Sequence, residues 1–306
     1  MQTRIIEIAE NNRLLSVFRG FLIIEDTNGI KNELARIPLD DIHAVIVNAY
    51  GMTYTNNLLV ELCERNIPFV ICGKNHNVSG ILFASEGHYL QAKRYDAQIK
   101  CSQELKDNLW ASVIKAKLRW QSEALKAVGV PFIPVSSLIS KIQEGDKTNI
   151  EALAAKRYWH LLFGKSFRRD KNLNDINSLL NYGYSILRST TARAVVSVGL
   201  HPTLGIHHKN EGNPMRLVDD LMEPYRPIVD LKVWALVQDG QDNITPDTKK
   251  QLASLVFIDL IWSDGTSPLN VSLQKTAQSL TLSYLNCQNK LELPDIFPLQ
   301  NISTNL

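Results

Sequence analysis

The chain has few cysteines and no long apolar run. Its cysteines are Cys63, Cys72, Cys101 and Cys287. None of them has CxxC spacing, which argues against a zinc knuckle and a disulfide framework. The longest apolar stretch near the C-terminus, LASLVFIDLIW, contains Asp259 and is far shorter than the roughly 20 residues of a membrane-spanning helix. The N-terminus, MQTRIIEIAE, lacks the apolar run of a signal peptide, so we expect a cytoplasmic protein.

Net charge is also small, at +2, but it is unevenly distributed. Residues 93–193 hold 18 Lys and Arg against 9 Asp and Glu, whereas the rest of the chain holds 15 against 22. The central block is therefore suited to a polyanion, although solvated lysines on helix surfaces are an alternative explanation. Taken together with the candidate metal site described below, this asymmetry favours contact with the phosphates of a nucleic acid. The candidate DNA-binding residues are Lys156, Arg157, Arg168, Arg169 and Arg193.

Two kinds of hydrophobic pattern divide the chain. Residues 1–90 contain short β-branched runs such as RIIEIA and HAVIVN, separated by Asn, Gly and Asp, with one helical segment, TNNLLVELCERN. From residue 91 the apolar residues recur at helical spacing. The pattern predicts helices at about 101–127, 135–144, 148–163, 172–199, 215–238, 245–263 and 268–287.

These patterns predict an α+β fold. A small antiparallel β-rich N-terminal domain, residues 1–90, is followed by a larger all-α domain, residues 91–306, which contains the basic block and with it the expected nucleic-acid contacts. The segment 285–306 is rich in Asn and Pro and has weak periodicity, so we expect a loose C-terminal tail.

A candidate metal site comes from two helical segments and a loop. Asp220 and Glu223 are three residues apart and share a helix face, although an isolated pair of this kind is more typical of a solvated acidic edge. His208 lies in the Gly/Asn/Pro-rich connection before them and can fold back over that helix. Glu151 opens the segment IEALAAKRYW, where the helix dipole alone would explain a glutamate. Glu151, His208 and Glu223 together make a ligand set for Mn²⁺ or Mg²⁺, and His207 is expected either to support a ligand from behind or to have a packing role.

Several of these segments carry a family resemblance. IEALAAKRYW, DINSLLNYGYSILRS, HPTLGIHH and LVDDLMEPYRPIVD, in that order, resemble the CRISPR-associated adaptation integrases, the "Cas one" family, and most closely its type II form. Fainter likeness at IPLDDIHAVIV extends the resemblance over nearly the whole chain. It implies a β-rich N-terminal domain that pairs two subunits into a homodimer, and an all-helical catalytic domain.

The resemblance also implies an activity. The protein would be a metal-dependent DNA endonuclease and integrase that inserts short DNA fragments, the spacers, into a repeat array together with a small "Cas two" partner. The family's metal ligands correspond to Glu151, His208 and Glu223, and its companion acid corresponds to Asp220. These residues would hold Mg²⁺ or Mn²⁺ against the scissile phosphate while a 3′-hydroxyl attacks it. Asp220 would orient a ligand or a metal-bound water.

Two other classes of function remain open from the sequence. The protein could be a stand-alone metal-dependent nuclease that cuts branched or single-stranded DNA without joining it. It could also be a non-catalytic DNA-binding scaffold whose acidic residues are only solvated. Hydrolysis shortens strands whereas integration lengthens one, and a scaffold would be indifferent to EDTA.

Overall fold

A computed structural model describes residues 4–27, 32–73, 78–82, 84–85, 88–173 and 175–295. The chain divides into two compact units, Met1–Gly87 and His88–Leu306. The first is rich in strands and the second is predominantly helical, which confirms the predicted α+β class. None of the helices in the described ranges is long and apolar enough to cross a membrane.

The elements are numbered in chain order. The strands are β1 (Arg4–Ile8), β2 (Arg13–Phe18), β3 (Phe21–Asp26), β4 (Asn32–Pro38), β5 (Ile42–Val47), β6 (Thr53–Tyr54), β7 (Phe69–Cys72), β8 (Val78–Leu82), β9 (Asp259–Trp262) and β10 (Gly265–Pro268). The helices are α1 (Asn56–Glu64), α2 (Gln91–Ile99), α3 (Gln103–Ala127), α4 (Ile133–Ser136), α5 (Ile150–Phe163), α6 (Ile176–Ser197), α7 (Arg216–Met222), α8 (Arg226–Gln238), α9 (Pro246–Ser254) and α10 (Leu269–Asn286).

The described residues of the first unit form two four-stranded sheets, in the orders β1-β5-β7-β8 and β4-β3-β2-β6. The prediction of an antiparallel sheet is correct for β2, β3 and β4 but wrong for β1, β5 and β7, which pair in parallel. Helix α1 lies between β5 and β7 in the chain and provides the crossover that parallel neighbours need. Strand β5, IHAVIV, is buried at all six positions, as expected of a parallel strand covered on both faces.

The second unit is organised around two long helices. Helix α3 packs against α4, α5, α7 and α8, while α6 packs against α7, α8, α9 and α10. The interior includes the aromatic side chains of Trp110 and Trp120 on α3 and of Tyr182 on α6, each exposed by no more than 1%. Because α3 touches both α5 and the turn that follows α7, it lies between the two segments that carry the predicted acids.

Some predicted helices are interrupted. The helix expected at 215–238 consists of α7, a 3-10 turn at Glu223–Tyr225, and α8, because Pro224 and Pro227 lack the N–H of a continuous helix. The helix expected at 245–263 is wrong beyond Ser254. Strand β9 alternates exposed and buried residues and pairs antiparallel with β10, so this part of the second unit forms a hairpin.

The expected loose tail is wrong for residues 285–295. Helix α10 continues to Asn286, and the chain then runs back along it. The N–H groups of Lys290 and Glu292 donate to Ser283 Oγ and Ser279 Oγ, each at 2.9 Å. This segment is therefore held by hydrogen bonds to helix hydroxyl groups, and an apolar periodicity in its sequence is not needed. Residues 296–306 of the predicted tail lie outside the described residues.

Candidate active site

Two of the predicted ligands meet across a lysine. Nζ of Lys117, on α3, lies 2.6 Å from Oε1 of Glu151, at the start of α5, and 2.6 Å from Oε2 of Glu223, directly after α7. The side chains of Lys117 and Glu223 are 9% and 4% exposed, while that of Glu151 is 25% exposed. The structure therefore brings two acids from distant segments together around one buried cation.

Asp146 positions the helix that carries Glu151. Its two carboxylate oxygens accept hydrogen bonds from the backbone N–H groups of Ile150 and Glu151, each at 2.9 Å. Asn149, with φ of 53°, turns the chain into the helix through the left-handed region. A carboxylate at this end satisfies free N–H groups and interacts favourably with the helix dipole. The Glu151 backbone is thereby held in one place.

Glu223 has cationic neighbours on both sides. Its Oε1 lies 2.9 Å from Nη2 of Arg226, opposite the Lys117 contact at Oε2. Burial raises the pKa of Glu223, but the charges of Arg226 and Lys117 outweigh burial and leave the pKa below its usual value. Burial lowers the pKa of Lys117, but Glu223 and Glu151 outweigh it and raise the pKa overall. The site is therefore a cluster of ionised groups.

Asp220 holds the histidine loop. Its fully buried carboxylate accepts from the backbone N–H groups of Ile206 at 2.6 Å, His207 at 3.1 Å and His208 at 3.2 Å. Its Oδ1 also lies 2.5 Å from Nδ1 of His208. This hydrogen bond, partly opposed by burial, raises the pKa of His208. With Nδ1 donating to Asp220, Nε2 of the neutral ring keeps its lone pair for a ligand.

The approach of this loop to α7 requires a glycine. A Cβ at Gly205 would lie 2.9 Å from Oδ2 of Asp220 and 2.9 Å from Cβ of Arg216. His207, as expected, has a packing role, because its ring stacks on Trp110 with centroids 4.3 Å apart and planes 3° apart. Trp110 also meets the ring of His208 edge-on, at 5.8 Å. The histidine loop is thus packed against α3 as well as bonded to α7.

These residues suit a divalent ion in their donor chemistry. Within the described ranges, no three His, Cys, Asp or Glu side chains converge into a closed metal-binding group. Glu151 and Glu223 are joined through Lys117, and His208 is close enough to Glu223 for each charge to shift the other's pKa. Carboxylate oxygens and an imidazole suit Mn²⁺ and Mg²⁺. The ammonium of Lys117 shows that the two carboxylates already bind a cation.

A cleft of about 250 Å³ opens beside the histidines. Lys106, Lys209 and Arg216 line it together with His207 and His208. Sequence reasoning missed these three basic residues, because each stands alone in the chain and forms no motif. Their shared position next to His208 makes the cleft suitable for a phosphate group.

The five predicted DNA-binding residues have different environments. Lys156, Arg157 and Arg168 are exposed, and Arg157 donates to the carbonyl of Pro134 at 2.8 Å. Arg169 donates to the side-chain oxygens of Asn177 and Asn181, at 2.9 and 2.7 Å, so it serves the internal packing of its segment. Arg193 is partly buried, and this burial lowers its pKa. Of the five residues, Lys156, Arg157 and Arg168 are the exposed ones, and their contact with DNA stays a prediction.

A second buried carboxylate lies on α8. Asp230 accepts from the hydroxyl groups of Tyr158, at 3.1 Å, and Tyr184. Burial raises the pKa of Asp230 to about 7, although the hydrogen bonds and the charges of Arg226 and Arg169 oppose the rise. Tyr158 lies on the helix of Glu151, so this cluster ties α5 to the core of the unit.

Sequence reasoning also missed Lys117 and Asp146. A signal for Lys117 was present, because it lies three residues after Ile114 and three before Trp120, on the buried stripe of α3. A lysine on such a stripe requires an acidic partner. The sequence carries no comparable signal for Asp146. Its carboxylate reaches the N–H groups of α5 only because Asn149 adopts the left-handed conformation, which the sequence pattern does not show.

Comparison with known proteins identifies one family over most of the chain. Residues 6–256 match the family described as CRISPR associated protein Cas1. A CRISPR-associated endonuclease Cas1 from Neisseria meningitidis serogroup C (strain 8013) is 30% identical over 298 residues, covering 96% of this chain and 96% of the relative.

Two solved structures share the fold. A casposase bound to integration product has a TM-score of 0.78 at 19% identity, covering 95% of this chain and 93% of that one. A chain of a Cas6-RT-Cas1–Cas2 complex has a TM-score of 0.72 at 19% identity, covering 94% of this chain and 35% of that one. Because the family match spans most of the sequence and the Neisseria relative aligns over nearly its full length, the chain belongs to the Cas1 family of CRISPR-associated proteins.

Proposed function

We propose that this protein is a divalent-metal-dependent DNA endonuclease and integrase, which inserts short DNA fragments into a CRISPR repeat array. The observation that carries the proposal is the meeting of Glu151 and Glu223 around one buried cation, with His208 held beside them by Asp220. The Neisseria relative is named an endonuclease, and the similar casposase was solved with an integration product. Both agree with chemistry at a phosphodiester.

Each residue has a distinct task in this reaction. Glu151, Glu223 and Nε2 of His208 would hold Mg²⁺ or Mn²⁺. When bound, such an ion polarises a phosphoryl oxygen and lowers the pKa of the attacking 3′-hydroxyl. Asp220 accepts the hydrogen bond from Nδ1 and so fixes the ring with Nε2 as the ligand atom. Arg226 offsets the charge of Glu223 in its buried position.

Phosphate contacts supply most of the expected DNA affinity. Lys106, Lys209 and Arg216 line the cleft beside His208 and would bind the phosphates nearest the reacting group. Lys156 and Arg168 are exposed and would contact phosphates farther along the DNA. Since each such contact releases condensed counterions, binding should weaken steeply as salt concentration rises.

The proposal includes two protein partners. One is the small Cas2 protein, because a similar fold occurs in the Cas6-RT-Cas1–Cas2 complex. The other is a second copy of this chain, which would pair through the β-rich unit to form a homodimer. Sedimentation of the protein alone and with Cas2 tests both associations.

The decisive experiment follows a labelled short duplex into a supercoiled plasmid that carries a repeat. The protein and its Cas2 partner are incubated with Mn²⁺, Mg²⁺ or EDTA, and plasmid-bound label is measured. We expect label in the plasmid with metal, and its loss with EDTA, with His208→Ala and with Glu151→Gln. Glu104→Gln is the matched control, because Glu104 also lies in the first turn of a helix, α3, but is exposed.

Other results would identify the alternatives. Shortened strands without joined product indicate a stand-alone nuclease. Tight DNA binding with no chemistry under either metal indicates a scaffold. Integration at the wild-type rate by Glu151→Gln would refute the assignment of Glu151 as a ligand.

A further inference from the structure

Lys117 belongs to no metal-ligand pattern in the sequence, yet it lies between the two acids of the site. Its ammonium bridges Glu151 and Glu223 at 2.6 Å on each side. The side chain is 9% exposed, so the ammonium has exchanged most of its water for these two carboxylates. A lysine buried to this degree requires acidic partners.

The atoms that Lys117 contacts are ligand atoms in the proposed function. It contacts Oε1 of Glu151 and Oε2 of Glu223, whereas Arg226 contacts the other oxygen of Glu223. Oε2 of Glu223 is buried and accepts no hydrogen bond, and its close contact with Lys117 is an ion pair. If Glu151 and Glu223 hold a divalent ion, the ion would compete with the ammonium at Glu223, because Arg226 already contacts the other oxygen of that carboxylate.

We propose that Lys117 is a built-in competitor of the divalent ion. In the metal-free protein its ammonium keeps the two carboxylates together, and it withdraws when the ion binds between them. The proposal rests on the proposed function, since it concerns the metal held by Glu151 and Glu223. Lys117 is a positioning residue, because it acts on the reaction through these ligands.

Charge and flexibility both support this exchange. With Lys117 and Arg226 in place, the two carboxylates are already neutralised, so an added divalent ion would leave excess positive charge in a buried site. Withdrawal of one ammonium removes half of that excess, one positive charge out of two. Lysine suits the task because its charge is carried on a flexible four-carbon stem, whereas the planar guanidinium of Arg226 is rigid.

The test measures metal binding directly, independently of DNA chemistry. The full-length protein, Lys117→Met and Lys117→Gln are titrated with Mn²⁺ by calorimetry, and thermal unfolding is recorded with and without the ion. Lys115→Met is the matched control, since Lys115 lies on the same helix two residues away and is exposed. Glu223→Gln reports whether the measured binding belongs to this site.

We expect both neutral variants to bind Mn²⁺ at least about tenfold more tightly than the wild type, a change of about 1.4 kcal/mol. Without metal they should unfold at lower temperature, because the two carboxylates then repel each other. Added Mn²⁺ should raise their unfolding temperature more than it raises that of the wild type or Lys115→Met. A purely structural lysine would lower stability equally with and without the ion.

The other outcomes are equally informative. Equal Mn²⁺ affinity in the wild type and both neutral variants, abolished by Glu223→Gln, overturns the competitor role and leaves the proposed function intact. Absence of binding in all of these proteins overturns both. If the neutral variants fold only in the presence of Mn²⁺, the inference is supported, whereas failure to fold at saturating Mn²⁺ overturns it.

Discussion

Replacement of Asp220 by Asn tests how the histidine loop is held. The buried carboxylate accepts from the N–H groups of Ile206, His207 and His208 and from Nδ1 of His208. Asparagine has nearly the same shape but offers one oxygen and one amino group. Two of the four donors would then face an NH₂ group, which cannot accept a hydrogen bond.

The expected cost follows from these contacts. A hydrogen bond to a charged group contributes about 1.5–3 kcal/mol, so the loss of two such bonds should cost about 3–6 kcal/mol. For a domain of 150–250 residues, each kcal/mol shifts the unfolding temperature by about 2–4 °C. We expect Asp220→Asn to lower that temperature by the order of 10 °C. The pKa of His208 should also fall, because its hydrogen bond to Asp220 is what raises it most.

Thermal unfolding followed by circular dichroism measures the stability loss, and Asp239→Asn, at an exposed position, is the control. Integration is then assayed at a temperature where wild type and variant are both folded, so that lost activity reports a misplaced His208. An unfolding temperature within about 2 °C of wild type, together with wild-type integration, would refute the anchoring role of Asp220.

Two further predictions concern charge. The pKa of Asp230 is raised from 3.8 to about 7, so its protonated form favours the folded state. This contribution, about 4 kcal/mol at 1.4 kcal/mol per unit, is complete below about pH 4 and lost by about pH 7. Denaturant unfolding measures this effect. As pH rises from 4 to 7, the free energy of unfolding of Asp230→Asn should increase by about that much relative to that of the wild type. An equal pH dependence of unfolding in the two proteins would contradict the prediction. For DNA binding, Arg168→Ala should reduce the salt slope by about one without changing stability. Arg169→Ala should instead lower the unfolding temperature and leave the slope unchanged, because Arg169 is bonded to Asn177 and Asn181; the reverse result would exchange their roles. Anisotropy titrations at several salt concentrations measure the salt slopes of the two variants, and thermal unfolding measures their stability.

Local patterns in the sequence were sufficient for much of the molecule. The alternating β-branched runs and the later helical spacing predicted a β-rich unit followed by a helical one, because these periodicities depend only on residues close in the chain. The segments around Glu151, His208 and Glu223 also carried the family resemblance, which the match over residues 6–256 confirms. Their role as metal ligands stays a prediction.

The same patterns failed where distant segments determine the outcome. The apolar sequence of a strand such as β5 is compatible with a parallel or an antiparallel sheet. The crossover through α1 makes its pairing with β7 parallel. The segment after α9 is too short for its hydrophobic periodicity to distinguish a helix from a strand. Pairing between β9 and β10 stabilises the hairpin found there. Residues 287–295 have weak periodicity, yet hydroxyl groups of α10 hold them.

The sequence by itself determined the family, the order of the two units and the acids and histidine of the candidate site. Only the tertiary structure decided that Lys117 bridges Glu151 and Glu223, and that Asp220 holds the histidine loop. The reason is physical. Helical spacing is encoded within a few residues, whereas contacts between α3, α5 and α7 depend on how these helices pack, which no short segment specifies.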